Sequence, residues 1–139
     1  MSWTDCHRRR AAINSVLSYA ERYPQDPIRL ESLPEVAAVF AKRSDLLLAL
    51  QYDWQQLLWA QIELHSLDTQ GHPLEASEIC RLAWASATAH RPVLRQVLDR
   101  YQSESDNARA RQRENDLLVS AAIGHCSADR RYVSSAQVA

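Results

Sequence analysis

Three polar residues at the end of a hydrophobic helical pattern are the strongest candidates for chemistry in this sequence. Gln61, His65 and Asp68 follow the apolar stripe of the preceding residues at a spacing of i, i+4 and i+7, so they share one helical face. A histidine oriented by a carboxylate, with an amide beside it, is suited to hold a ligand or a proton in a pocket. Alternatively, the helix extends past its neighbours here and these groups meet water. Because no recognisable nucleophile accompanies them, we name no catalytic residue and favour a protein that is not an enzyme.

Cysteine and histidine pairs near the two ends of the chain contain the donor atoms of a zinc site. Cys-His at 6–7 and His-Cys at 125–126 supply two sulfurs and two imidazoles, but adjacent pairs lack the usual ligand spacing. The Glu-Leu-His run at 63–65 likewise misses the Glu-x-x-His spacing of a helical di-iron site. We therefore expect no metal and no cofactor. The three cysteines, odd in number and without a C-x-x-C, favour a reducing cytoplasm over a disulfide framework.

Arginines in the C-terminal third raise the question of nucleic acid. Arg109, Arg111 and Arg113 alternate, which on a helix scatters them around the axis, and no aromatic residues interleave with them. The whole chain has a formal charge of −1, and residues 31–79 contain eight acidic against two basic side chains. This charge distribution argues against a general polyanion binder, so we do not favour nucleic acid as a partner.

The elements that position these groups are predicted to be helices. Only two glycines occur, Gly71 and Gly124, and each follows a helix-like pattern, whereas a β-rich fold needs more glycine in its turns. We predict an all-α, single-domain bundle of five to six helices over residues 1–124, followed by a flexible tail at 125–139. The longest aliphatic run, residues 46–50, is far too short for a membrane span.

One long hydrophobic helix, at about residues 45–70, is predicted to lie at the centre of the bundle. Ser44 is the expected N-cap and Gly71 the expected C-cap. Its broad apolar stripe, which we expect to form the core, consists of Leu46, Leu47, Leu50, Trp54, Leu57, Leu58 and Leu64.

A second apolar group occupies the opposite side of the same helix. It contains Leu48, Tyr52 and Trp59, with Ile62 at its edge, and Trp84 from a later helix is a candidate to join it. A surface helix needs only one apolar stripe, so the second requires its own cover. Either the first or the last helix of the same chain covers it, or another chain does, since exposed aromatic patches mark interfaces.

The remaining helices are predicted from the same periodicity and from proline positions. The first spans about 5–22, a short second about 33–42, a fourth about 74–89, and a fifth begins at Pro92. The run from Ser32 to Glu35 has the spacing of a capping box for the second helix. Residues 102–116 show no apolar face and are predicted to be an exposed turn and a solvated helical start. A last helix follows at about 117–124.

Two stretches resemble TetR-type regulators. After Arg10, the run SYAERY (Ser18–Tyr23) resembles the end of their first helix, and FAKRSDLLLAL (Phe40–Leu50) resembles the start of their ligand domain. The resemblance implies an all-helical regulator with a ligand pocket. Only residues 24–39 separate the two stretches, which is too short for the turn and recognition helix of that family. The sequence therefore supplies no DNA-reading residue.

Taken together, these patterns favour a non-catalytic helical interaction module of the cytoplasm, forming a homodimer and binding a protein partner. The alternatives are a small-molecule sensor with a pocket near His65, or a TetR-like relative without the recognition helix. A nucleic-acid-associated factor is a further alternative. No membrane partner is expected.

Overall fold

The computed structural model describes residues 2–67, 74–102, 113–114 and 116–117. Every regular element in these residues is helical and none is a strand, which confirms the all-α prediction. None of the described helices is both long and apolar enough to cross a membrane. Several predictions fall outside the described residues, namely those for Asp68, Gly71, Cys126, the last helix and the tail at 125–139.

Five α-helices form the described part of the bundle, in close agreement with the predicted pattern. They are α1 (Trp3–Arg22), α2 (Pro34–Ala37), α3 (Arg43–Leu67), α4 (Ala76–His90) and α5 (Pro92–Arg100), with a 3-10 turn at Leu30–Ser32 before α2. The long helix α3 packs most extensively against α4, and also against α5, while α1 packs on α2 and α5.

The core stripe of α3 was predicted correctly except at its end. Leu46, Leu50 and Leu58 are fully buried, whereas Leu64 is 56% exposed. Leu46 and Leu64 are five full turns apart and point in the same direction, about 27 Å from each other along the axis. The elements that cover this edge of α3 near its start therefore do not reach its end, so the prediction of Leu64 as a core residue is wrong.

The start of α3 also differs from the prediction. The helix begins at Arg43, and the carbonyl of Lys42 accepts hydrogen bonds from the backbone N–H groups of Asp45 and Leu46 at 3.1 and 3.3 Å. Ser44 is therefore inside the first turn and is not the N-cap. A real capping box occurs at α1 instead, where Ser2 and Asp5 exchange hydrogen bonds. The hydrogen bonds from Ser2 hold the pKa of the Asp5 carboxyl below its usual value.

The connection between α1 and α3 contains a shorter helix than predicted. Only Pro34–Ala37 forms an α-helix, Leu33 precedes it without a side-chain cap, and the predicted capping box is absent. The Glu35 carboxylate instead accepts a hydrogen bond from the Ser15 hydroxyl at 2.9 Å, which ties α2 to α1. Residues 23–42 are all described and leave no place for a recognition helix, so the TetR-type likeness does not extend to DNA reading.

Two residues at the end of α5 fix this connection to the bundle. The Arg100 guanidinium donates to three consecutive backbone carbonyls, those of residues 24–26, each at 2.9 Å. The backbone N–H of Ile28 donates to the Tyr101 hydroxyl at 2.8 Å, where both residues are buried. The extended segment after α1 is thereby held against α5 although it contains no long helix.

Candidate functional site

The outward side of α3 exposes large aromatic side chains, so the described helices of this chain do not cover it fully. Tyr52 is 61% exposed and Trp59 is 39% exposed, while Leu48 one turn earlier is half-buried. We call the surface formed by Leu48, Tyr52, Gln56, Trp59 and Ala60 the aromatic face; apart from Leu48, its members are exposed. Seven residues separate Tyr52 from Trp59, so the two rings emerge about 10 Å apart along the helix on the same side.

The two other residues predicted for this face lie elsewhere. Ile62 is only 6% exposed and belongs to the core of the bundle. Trp84 on α4 is half-buried and packs its ring edge-on against Trp54, with the ring centroids 5.2 Å apart. Helical periodicity placed Ile62 at the border of the face, and the border falls on the buried side. Trp84 is part of the buried cluster described below.

The predicted pocket residues are only partly described. The Nε2 atom of His65 is 3.0 Å from the Ser86 hydroxyl, so this histidine connects α3 to α4. Gln61 is half-buried on the same helix, and Asp68 lies outside the described residues. One ring nitrogen of His65 is therefore engaged by Ser86 of the neighbouring helix.

A buried polar cluster, which the sequence did not predict, lies between α3 and α5. The Glu114 side chain is 1% exposed and accepts hydrogen bonds from Gln51 Nε2 at 2.9 Å and from the Trp54 indole N–H. Arg95 Nη1 is 3.3 Å from the same carboxylate and is 4% exposed. We call Gln51, Trp54 and Arg95 the carboxylate socket. Three donors thus converge on one carboxylate away from water.

Two indole rings hold the guanidinium of this cluster. The Cζ atom of Arg95 lies 4.6 Å from the ring centroid of Trp54 and 5.1 Å from that of Trp84. A guanidinium over aromatic faces gains cation–π attraction, and the gain is larger where water is excluded. The other arm of Arg95 reaches Asp99, with Nη2 and Oδ1 3.0 Å apart. Contacts other than the one to Glu114 therefore also hold the guanidinium in place.

Glu114 corrects the prediction for residues 102–116 at one position, and residues 103–112 and 115 lie outside the described residues. That stretch has no apolar periodicity and was predicted to be solvated, yet its one buried described residue carries a charge. The only sequence signal was indirect: Trp54 lies in the middle of a core stripe, and a buried indole N–H usually needs an acceptor. Nothing in the spacing told which of the chain's 17 acidic residues supplies it.

A second ionic cluster flanks the aromatic face. Asp53, whose side chain is 10% exposed, accepts from Arg10 at 2.6 Å and lies 3.6 Å from an Arg91 nitrogen. These contacts join α1, α3 and the junction between α4 and α5. Because two arginines compensate Asp53, the carboxylate next to Tyr52 does not leave the aromatic face with an unbalanced negative charge.

Other features of the described residues give weaker evidence for a functional site. Cys80 on α4 is half-buried, and burial raises the pKa of its thiol, which disfavours the reactive thiolate. Within residues 2–67 and 74–102 and the short described pieces beyond, no group of three metal-ligating side chains occurs. The cavity between α1 and α5, near Ala20 and Tyr101, measures about 40 Å³, which is room for a water molecule. A larger, open surface groove of about 740 Å³ lies between residues 28–31 and 37–44.

Comparison with known families, with characterised proteins and with solved structures finds no match for this chain. The assignment of a function therefore depends on the aromatic face, the carboxylate socket and their surroundings.

Proposed function

We propose that this protein is a non-catalytic helical interaction module that self-associates through the aromatic face of α3. The observation that carries the proposal is the exposure of Tyr52 and Trp59 on a helix whose opposite side already forms the core. Tyrosine and tryptophan are enriched at protein interfaces and dominate the binding energy where they become desolvated. Cytoplasmic location and a homodimer remain part of the same proposal.

A second copy of the chain is the favoured occupant because the aromatic face is suited to meet itself. In a two-fold dimer the same surface contacts its own copy, so a net charge on that surface would repel. The five residues of the aromatic face are uncharged, and Asp53 beside it is compensated by arginines. The exposed Glu63 follows Trp59 by one turn on the same side of α3, so it lies at the end of the face. Two such faces therefore bring aromatic side chains from each copy together, with this acidic group at the edge of the contact.

The expected dimer is weak. The aromatic face contains five side chains over about four turns of one helix, which is smaller than the roughly 800 Å² per partner of a standard stable interface. We therefore expect a dissociation constant of about 1–100 µM. Self-association of this strength depends on concentration and is easily separated from permanent oligomerisation.

Removing both rings tests the proposal. The variant Y52A/W59A is expected to remain monomeric at concentrations where the wild-type chain associates, with its dissociation constant raised at least about 30-fold, because aromatic hot spots each contribute more than about 1 kcal/mol. The measurement is light scattering coupled to gel filtration, at several loading concentrations. Circular dichroism checks that the helices are retained.

A matched control replaces the same two residue types elsewhere. Trp3 is 78% exposed and Tyr23 is 47% exposed, both lie on or next to α1, and neither belongs to the aromatic face of α3. The variant W3A/Y23A is expected to associate as the wild type does. Equal association of Y52A/W59A and wild type would contradict the proposal, as would equal weakening in both double variants.

A further inference from the structure

The carboxylate socket has the properties of a ligand site rather than of an ordinary ion pair. Its donors, the Gln51 amide, the Trp54 indole N–H and the Arg95 guanidinium, come from two helices of the bundle, and their atoms all reach the same carboxylate. Asp99 and the two indole rings fix Arg95 independently of Glu114. The bundle therefore supplies the positive charge and the hydrogen-bond donors, and a separate part of the chain supplies only the anion.

Two buried atoms of the socket have no hydrogen-bond partner among the described residues, namely the amide oxygen of Gln51 and Nη2 of Arg95. Nη2 is a donor that a carboxylate oxygen can accept from, whereas the amide oxygen needs a donor such as water, because an ionised carboxylate has none. Leaving such atoms unpaired costs about 1–3 kcal/mol each. Asp99, the other anion near Arg95, is 55% exposed, so without Glu114 the buried cation is only partly compensated and the socket favours a carboxylate.

We propose that Gln51, Trp54 and Arg95 form a carboxylate-binding site, which Glu114 of the same chain occupies in this structure and which accepts another carboxylate when Glu114 is withdrawn. The ligand chemistry is a single carboxylate group. That group is either a small free carboxylate or the Glu114 side chain of a second copy. The site lies apart from the aromatic face and does not depend on it.

Chemical rescue tests whether the socket binds carboxylate as such. Glu114→Ala removes a group the size of acetate from the socket. In this variant of the full chain, saturating acetate is expected to raise the unfolding temperature by about 3–5 °C relative to chloride of equal ionic strength. The wild-type protein, whose socket is filled, is expected to shift by less than about 1 °C.

Two controls separate a specific site from a general salt effect. Glu114→Gln keeps the socket filled by a neutral side chain and is expected to gain nothing from acetate. The double variant R95M/E114A removes the cation and is also expected to gain nothing. Stabilisation by acetate that is equal in all these proteins, or absent in Glu114→Ala, would overturn the proposal. If Glu114→Ala does not fold in chloride, its refolding yield in acetate against chloride gives the same decision.

A mixing experiment distinguishes the two sources of carboxylate. R95M retains Glu114 but lacks the socket cation, while Glu114→Ala retains the socket but lacks the anion. If a second copy supplies the carboxylate, an equimolar mixture regains an unfolding transition at least about 3 °C above that of Glu114→Ala alone, in chloride and without acetate. Acetate rescue without this gain assigns the site to small free carboxylates. Absence of acetate rescue in Glu114→Ala overturns the proposal, whatever the mixture shows.

Discussion

Replacing Arg95 by methionine is expected to lower the free energy of unfolding by about 3–5 kcal/mol, because it leaves the buried Glu114 carboxylate without a countercharge. The methionine fills much of the volume of the arginine stem, so the loss comes from the charge and its hydrogen bonds rather than from a cavity. The partners that remain, Gln51 and Trp54, donate to the carboxylate but do not neutralise it. Urea denaturation followed by circular dichroism measures the change.

A shorter ion pair on the surface provides the control. Arg81 Nη2 is 2.6 Å from Glu78 Oε1, and the two side chains are 65% and 42% exposed. The Arg81 guanidinium holds the pKa of the Glu78 carboxyl below its usual value. Water and salt screen such a pair, so Arg81→Met is expected to shift the unfolding temperature by less than about 2 °C. If the two arginine variants unfold alike, the buried cluster is not what stabilises this part of the bundle.

The second large effect is expected from a core leucine of α3. Leu58 is fully buried, and Leu58→Ala should lower the free energy of unfolding by about 3–5 kcal/mol through lost burial and the cavity that remains. Leu64 is on the same helix and is 56% exposed, so Leu64→Ala is expected to change the free energy of unfolding by less than about 0.5 kcal/mol. Chemical denaturation of both variants provides the comparison.

This pair tests where the core stripe of α3 ends. Equal losses from Leu58→Ala and Leu64→Ala would mean that the stripe is covered along its whole length, as its periodicity suggested. A loss confined to Leu58→Ala places the boundary of the core between the two residues.

The helices were predictable because their signals are local. The apolar spacing of α3 and the prolines at 34 and 92 determine where α2, α3 and α5 begin, and the structure confirms these starts to within a few residues. The end of α2 was predicted at about residue 42, but the helix ends at Ala37. The prediction of Ser44 as the N-cap was wrong, because the helical hydrogen bonds begin at the carbonyl of Lys42, two residues earlier. The exposure of Leu64 depends on how far other helices extend, and periodicity within one helix carries no such information.

The candidate site was predictable only in part, since its α3 residues have a local pattern and Glu114 does not. Tyr52 and Trp59 were identified as a second apolar side of α3, and their exposure is visible in the structure. Glu114 was not identified, because it pairs with Gln51 and Arg95 across 63 and 19 positions of sequence. Its own neighbours are polar, so only the three-dimensional contact distinguishes it from the other acidic residues.

Sedimentation equilibrium of the wild-type full chain, from about 1 to 300 µM, tests the central claim most directly. We predict that the weight-average mass rises from that of one chain towards that of two, with a midpoint in the micromolar range. The Y52A/W59A variant should keep the mass of one chain at the concentrations where the wild type passes its midpoint. A wild-type protein that stays at the mass of one chain up to the highest concentration would contradict self-association through the aromatic face.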